Sequence, residues 1–317
     1  MNGLLAELGK RLAERWLSLL VLPGALFLAA LLAGARLGHG DWYDIAALPG
    51  RLDRSTSTHL TDSPAHLLVL LLAFLLASAA CGVVAQALGS LLERLWLAAD
   101  WPGWPTPTHR LVQHRIARRR GRYDRWRDRV GHARAAQHLD GADPDAAALQ
   151  VAVARHRLHQ VADARPDRPT WTGDRLRGVE SRLREDLGID VTVVWPHLWL
   201  HAPDTTRAEV TAARETMSRA ATLTGWGLLY ICVAAVWWPA ALIPLTVTTT
   251  GWLRFRTATD TYATLVEAAT RLHTRTLAHH LGIAAPGPLT HETGTALTAY
   301  LTQATPPPPP LRLPLPQ

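Results

Sequence analysis

The chain has 317 residues, a formal charge of +7 and 48% hydrophobic residues, room for two ordinary domains, but its near-zero mean hydropathy averages very apolar segments with a very arginine-rich remainder. Its two cysteines, Cys81 and Cys232, lie inside apolar runs, which argues against a disulfide framework and leaves no redox chemistry to infer. A surplus of positive charge suggests an anionic partner for a water-soluble protein; here the placement of the charges says more than their sum.

Segment 1–16 is amphipathic and basic, with Lys10, Arg11 and Arg15. The apolar run 17–35 is long enough for a first membrane span, bent at Pro23-Gly24, and no Ala-x-Ala-like cleavage site follows it, so it reads as a retained anchor. Loop 36–66 sets three arginines (Arg36, Arg51, Arg54) against four aspartates. A second span covers 67–92. On it Ala77, Cys81, Ala85 and Gly89 recur every four residues, a small-residue face through which helices can approach closely in lipid. That face suits packing, including packing between copies of the chain; Gln86 and the serines beside it leave a polar pathway as the alternative.

Segment 93–219 holds 22 arginines and is expected to be a helical, arginine-rich cytoplasmic domain. Trp101 to Pro107 breaks the chain after the second span, and Thr106 with Pro107 starts a helix of about 30 residues. Val112, Ile116, Tyr123, Trp126, Val130 and Ala133 line one side of it. The same helix carries Arg115, Arg118, Arg119, Arg120, Arg122, Arg125, Arg127 and Arg129, opposed only by Asp124 and Asp128. Such a cluster beside a span contacts anionic lipid headgroups or other phosphates, at about 1 kcal/mol per basic residue. Nucleic acid is the disfavoured alternative, since no nucleic-acid fold motif accompanies the cluster. A second helix begins at Asp143-Pro144 and runs to about Ala164; a third, near 174–187, stops at Gly188. Val191 to Val194 is extended or a helical linker. Asp204 caps a helix that continues into a third span.

Residues 220–253 contain no charged side chain, 34 in a row centred on Trp237-Trp238-Pro239. Two antiparallel helices, 220–237 and 239–253, could just cross the roughly 30 Å hydrocarbon layer and turn there. Trp101, Trp104, Trp237, Trp238 and Trp252 fall near span ends, as interfacial anchors would. Arg254 to His280 reads as a further amphipathic helix, segment 254–303 as cytoplasmic and helical, and 304–317 as a proline-rich tail, either a disordered terminus or a polyproline ligand for a partner's groove. The basic residues put both termini and the central domain inside.

No phosphate-binding glycine loop, nucleophile elbow or kinase set occurs, and the pairs His156/His159, His197/His201 and His279/His280 lack a third ligand. No catalytic residue, metal site or cofactor is expected, and enzyme activity is disfavoured.

The block Arg168-Pro-Thr-Trp-Thr-Gly-Asp-Arg-Leu-Arg-Gly-Val-Glu180, followed by Leu187-Gly-Ile-Asp190 and Val194-Trp-Pro-His-Leu198, resembles one found in uncharacterised actinobacterial multi-pass membrane proteins. Their pattern has Asn where Asp174 stands, Tyr for Leu187 and Arg for His197. The resemblance covers about 40 residues and the helix after them. It implies that 168–256 is one membrane-coupled unit, and it brings no activity with it. The expected fold is all-α: an integral plasma-membrane protein with four transmembrane helices, two before and two after an inserted cytoplasmic helical domain. The expected function is a non-enzymatic scaffold or membrane effector, a possible homo-oligomer with a possible cytoplasmic protein partner; an oligomeric pore or transporter and a membrane-tethered nucleic-acid binder are the alternatives.

Overall fold

The computed structural model describes residues 21–37, 64–97, 106–137, 143–162, 164–283 and 287–303. Segment 1–16, most of loop 36–66, Trp101, Trp104 and tail 304–317 lie outside the described residues. Among the described residues there is no strand. The helices are α1 Leu22–Leu37, α2 Pro64–Leu97, α3 Thr106–Ala136, α4 Pro144–Val161, α5 Trp171–Leu187, α6 Val191–His201, α7 Asp204–Val236, a 3₁₀ turn Trp238–Ala241, α8 Leu242–His280 and α9 His291–Gln303.

Local chemistry accounts for the ends. Asp143 accepts the Asp145 N–H at 3.1 Å ahead of Pro144, and the Thr170 hydroxyl accepts the Gly173 N–H at 3.2 Å. Each satisfies one of the orphan donors of a first turn. Gly188 closes α5 with φ of 66°, a left-handed conformation open to glycine, while the Ile189 N–H reaches back to the Leu183 carbonyl at 3.2 Å.

Of the two readings of Val191 to Val194 the helical one holds: they begin a helix, α6, because Asp190 accepts the Thr192 N–H at 3.0 Å and caps it; Pro196 sits inside. One expectation changes. The tail of the fourth apolar run and the amphipathic segment after it are one helix of 39 residues, α8, with no break at Arg254. Two described helices, α2 and α7, are long and apolar enough to cross a membrane. The 16-residue α1 is shorter, and the uncharged part of α8, residues 242–253, rises only about 18 Å.

The chain divides into two compact units, 1–93 with 217–255, and 94–216 with 256–317. In the first, helices meet at small residues. A Cβ on Gly24 of α1 would stand 2.0 Å from the Ser78 carbonyl of α2, one on Gly225 of α7 2.4 Å from the Ala85 carbonyl, and one on Gly251 of α8 2.3 Å from the Thr224 hydroxyl. Ser78, Gly82, Ala85 and Gly89 are the buried face of α2; Cys81 is half-buried and Ala77 is exposed. Phe27, Val233 and Ala240 form a small core here, with Phe27 edge-on to Tyr230 at 5.5 Å. The outside of α2 is apolar: Leu68 is 66% and Leu76 63% exposed, and only 11% of its most apolar stretch is buried.

In the second unit α5 and α8 lie parallel in one register. Arg175 pairs with Asp260 at 2.6 Å, Arg182 with Glu267 at 2.7 Å and Asp186 with Arg271 at 2.8 Å, every pair 85 residues apart. The spacing of seven and then four residues on both helices is that of a two-helix seam, filled by Val179, Leu183 and Ala263. Ile189, Val194, Leu198, Leu277 and Leu297 close a second cluster from α6, α8 and α9. There α9 approaches so closely that a Cβ on Gly294 would meet the Leu187 carbonyl at 1.8 Å.

Candidate functional site

Three features of the second unit bear on function. The first is α3. Its buried stripe is Val112, Ile116, Arg119 and Val130, with Tyr123 and Trp126 half-buried, packed on Ala147, Val151 and Ala154 of α4. The structure therefore separates the eight arginines. Arg115, Arg118, Arg120, Arg122, Arg125, Arg127 and Arg129 are exposed, whereas Arg119 is 7% exposed. Of the seven, Arg120 donates to the Pro166 carbonyl at 2.7 Å, Arg125 to the Gly121 carbonyl at 3.0 Å, and Arg129 stacks over Trp126 at 4.4 Å. A helix face this rich in guanidinium groups can hold phosphate oxygens through charge-assisted hydrogen bonds.

Arg119 does something else. Its Nη1 donates to the carbonyls of Arg168 (2.7 Å) and Thr170 (2.6 Å) and to Asp174 Oδ2, and its Nη2 to the Val161 carbonyl (3.1 Å). The other oxygen of Asp174 accepts the N–H groups of Asp167 (3.0 Å) and Arg168 (2.8 Å). This clasp gathers the end of α4, the following loop and the start of α5 onto α3. Burial pushes the Asp174 carboxyl up and the Arg119 guanidinium down, while their mutual attraction opposes both shifts. Arginine does not give up its proton in a protein, so the carboxylate facing it stays ionised at neutral pH. The hydroxyls of Thr170 and Thr172 both donate to the Trp96 carbonyl, the latter at 2.8 Å. Arg119 is thus withdrawn from the set open to phosphate.

The third feature is an apolar groove of about 280 Å³, lined by Val179 and Glu180 of α5, Trp195 and Pro196 of α6 and Tyr262 and Val266 of α8. Burial pushes the Tyr262 phenol up, with Arg214 pulling it back. Glu180 is half-buried and makes no ion pair among the described residues. The arginines three before and four after it are engaged elsewhere, Arg177 with Asp167 and Arg184 with Asp190 at 2.5 Å. The Trp-Pro pair had been singled out in the sequence; the groove it joins, with Glu180 and Tyr262 opposite, had not.

No family model matches the chain, and neither a curated protein nor a solved structure matches it. No group of three or more His, Cys, Asp or Glu that could hold a metal occurs among the described residues. The rings of His201 and His280 lie 4.4 Å apart, while His156 meets Gln160 and His197 meets the Val193 carbonyl. Of the expected interfacial tryptophans, Trp238 is 53% exposed, Trp252 is half-buried, and Trp237 packs on the small core with its indole N–H enclosed and without a partner among the described residues. Of the small-residue face, Ala85 and Gly89 pack on α7 of the same chain, within one unit.

Proposed function

We propose that the chain is an integral plasma-membrane protein whose first unit is a four-helix membrane bundle, α1 and α2 followed by the α7–α8 hairpin. Its second unit is then a cytoplasmic interaction domain, making it a scaffold or membrane effector without catalysis of its own. The observation that carries this is the outer surface of α2. A core helix of a water-soluble protein is mostly buried, yet the leucines from Leu67 to Leu76 are largely exposed on a helix of 34 residues, and monomeric soluble proteins rarely expose such contiguous apolar surface. Three further facts support it. Buried glycines and small polar residues at the helix crossings are what lipid-embedded helices use in place of a hydrophobic driving force. The threonine hydroxyls Thr222, Thr224, Thr246 and Thr248 of the α7–α8 hairpin bond back to their own helices, as Thr224 does to Ala220 and Thr246 to Leu242, so none of the four strands a donor in hydrocarbon. The short uncharged part of α8 is extended by the 3₁₀ turn at one end, and at the other Arg254 can snorkel to the headgroups. Both termini are on the cytoplasmic side, where the exposed arginines of α3 meet anionic headgroups.

Extraction tests the proposal. Membranes from expressing bacteria, washed in alkaline carbonate and then urea, retain the full-length chain in the pellet and release it only to detergent. Its recovery in the carbonate or urea supernatant would remove the bundle and the topology together.

A further inference from the structure

We propose that the groove between α5, α6 and α8 is the docking site of the chain's own proline-rich tail, residues 304–317, with Arg312 against Glu180. The inference stands whether or not the first unit is in lipid, because the groove and the tail both belong to the second unit.

The groove suits an extended peptide. At about 280 Å³ it lies at or below the roughly 300–1,000 Å³ of cavities that enclose a small ligand. It presents an indole, a phenol and a prolyl ring (Trp195, Tyr262, Pro196) beside the methyl groups of Val179 and Val266. Aromatic-lined grooves of this kind take polyproline helices, which arrive already ordered and so lose little entropy on binding. Glu180 is the one charged side chain lining it.

The tail fits in sequence, charge and reach. It reads Pro306 to Pro310 and then Leu-Arg-Leu-Pro-Leu-Pro, prolines and leucines that would rest on rings and methyls. Arg312 is its only charged side chain, opposite in sign to Glu180, which lacks an ion pair among the described residues. The chain enters the tail near the groove, since Tyr300 and Leu301 at the end of α9 pack on the same cluster as Trp195. Arg312 lies nine positions beyond Gln303, about 28 Å in polyproline geometry. A groove covered by its own tail would open to a partner's proline-rich segment only when the tail leaves, which makes the contact autoinhibitory.

The test is intramolecular crosslinking in the full-length, detergent-solubilised protein with Cys81 and Cys232 replaced by serine. Thr192→Cys, at the groove, is paired with Leu313→Cys; Leu149→Cys, exposed on α4, is the control partner. Docking predicts that the Thr192 pair forms a disulfide within one chain, independent of protein concentration and at least fivefold faster than the Leu149 pair. Arg312→Glu should slow it several-fold, and adding Glu180→Arg should restore it. Should the double charge swap misfold, deletion of 304–317 serves instead and must raise the maleimide reactivity of Thr192→Cys several-fold. Equal rates for the two pairs, crosslinks only between copies, or unchanged reactivity after deletion would overturn the proposal.

Discussion

Replacing Arg119 by alanine should destabilise the second unit far more than replacing any neighbouring arginine. The guanidinium is 7% exposed and bonded to Asp174 and three backbone carbonyls. Removing one partner of a buried ion pair leaves the other charge without compensation, at about 3–5 kcal/mol. For a unit of 150–250 residues this is a fall in Tm of roughly 6–20 °C. Arg118→Ala, at an exposed position, should stay within about 0.5 kcal/mol. The pair can also be replaced as a whole, Arg119→Met with Asp174→Leu. For many buried pairs such a swap is neutral or stabilising. Here it should recover only part of the loss, because the Val161 and Arg168 carbonyls and the N–H groups of Asp167 and Arg168 would lose these bonds. Tryptophan-fluorescence melts of the wild type and these three variants in one detergent decide it. Equal melting of Arg119→Ala and Arg118→Ala, or full recovery in the double variant, would refute the clasp.

Gly225→Ala should cost about 1–3 kcal/mol, since its Cβ would stand 2.4 Å from the Ala85 carbonyl, whereas Gly121→Ala, with nothing within 4 Å, should gain about 0.5–1 kcal/mol of helix propensity; thermal melts in detergent read both signs. Asp190→Ala removes the cap of α6 and should cost about 0.5–2 kcal/mol at neutral pH. The Thr192 hydroxyl, outweighing partial burial, holds the Asp190 carboxyl below its usual range with help from Arg184. Its contribution is therefore complete above the ordinary carboxylate pKa of about 4 and fades as pH falls through the lowered folded value. The gap between wild type and variant should narrow over that acid window and not toward alkaline pH.

Much of the helical architecture was legible because its signals are local. Asp143-Pro144, Gly188 and the apolar spacing of α3 depend on residues within a turn or two; of the four small residues read as a face of α2, Ala85 and Gly89 are buried while Ala77 is exposed. Long-range partners were not legible. Arg119 looked like its seven neighbours because Asp174, which claims it, lies 55 residues on. A signal existed: Val112, Ile116, Arg119, Tyr123, Trp126 and Val130 alternate by four and three, which sets Arg119 on the buried seam. The β-branched run Val191 to Val194 left an extended and a helical reading both open, since the deciding contact is the Asp190 cap. Arg254 suggested a boundary by charge, but no proline or glycine follows it to end the helix, so α8 continues. The groove was out of reach because its three walls are separated by up to 90 residues and meet only through the register of α5 on α8.

Cysteine accessibility across the cell membrane tests the central claim most directly. In the background without native cysteines, Leu71→Cys on the outer face of α2 should resist an impermeant maleimide in both intact and opened spheroplasts. Leu149→Cys on α4 should react only once they are opened. Prompt labelling of Leu71→Cys in opened, detergent-free spheroplasts, or labelling of Leu149→Cys in intact ones, would contradict a lipid-buried α2 and a cytoplasmic second unit.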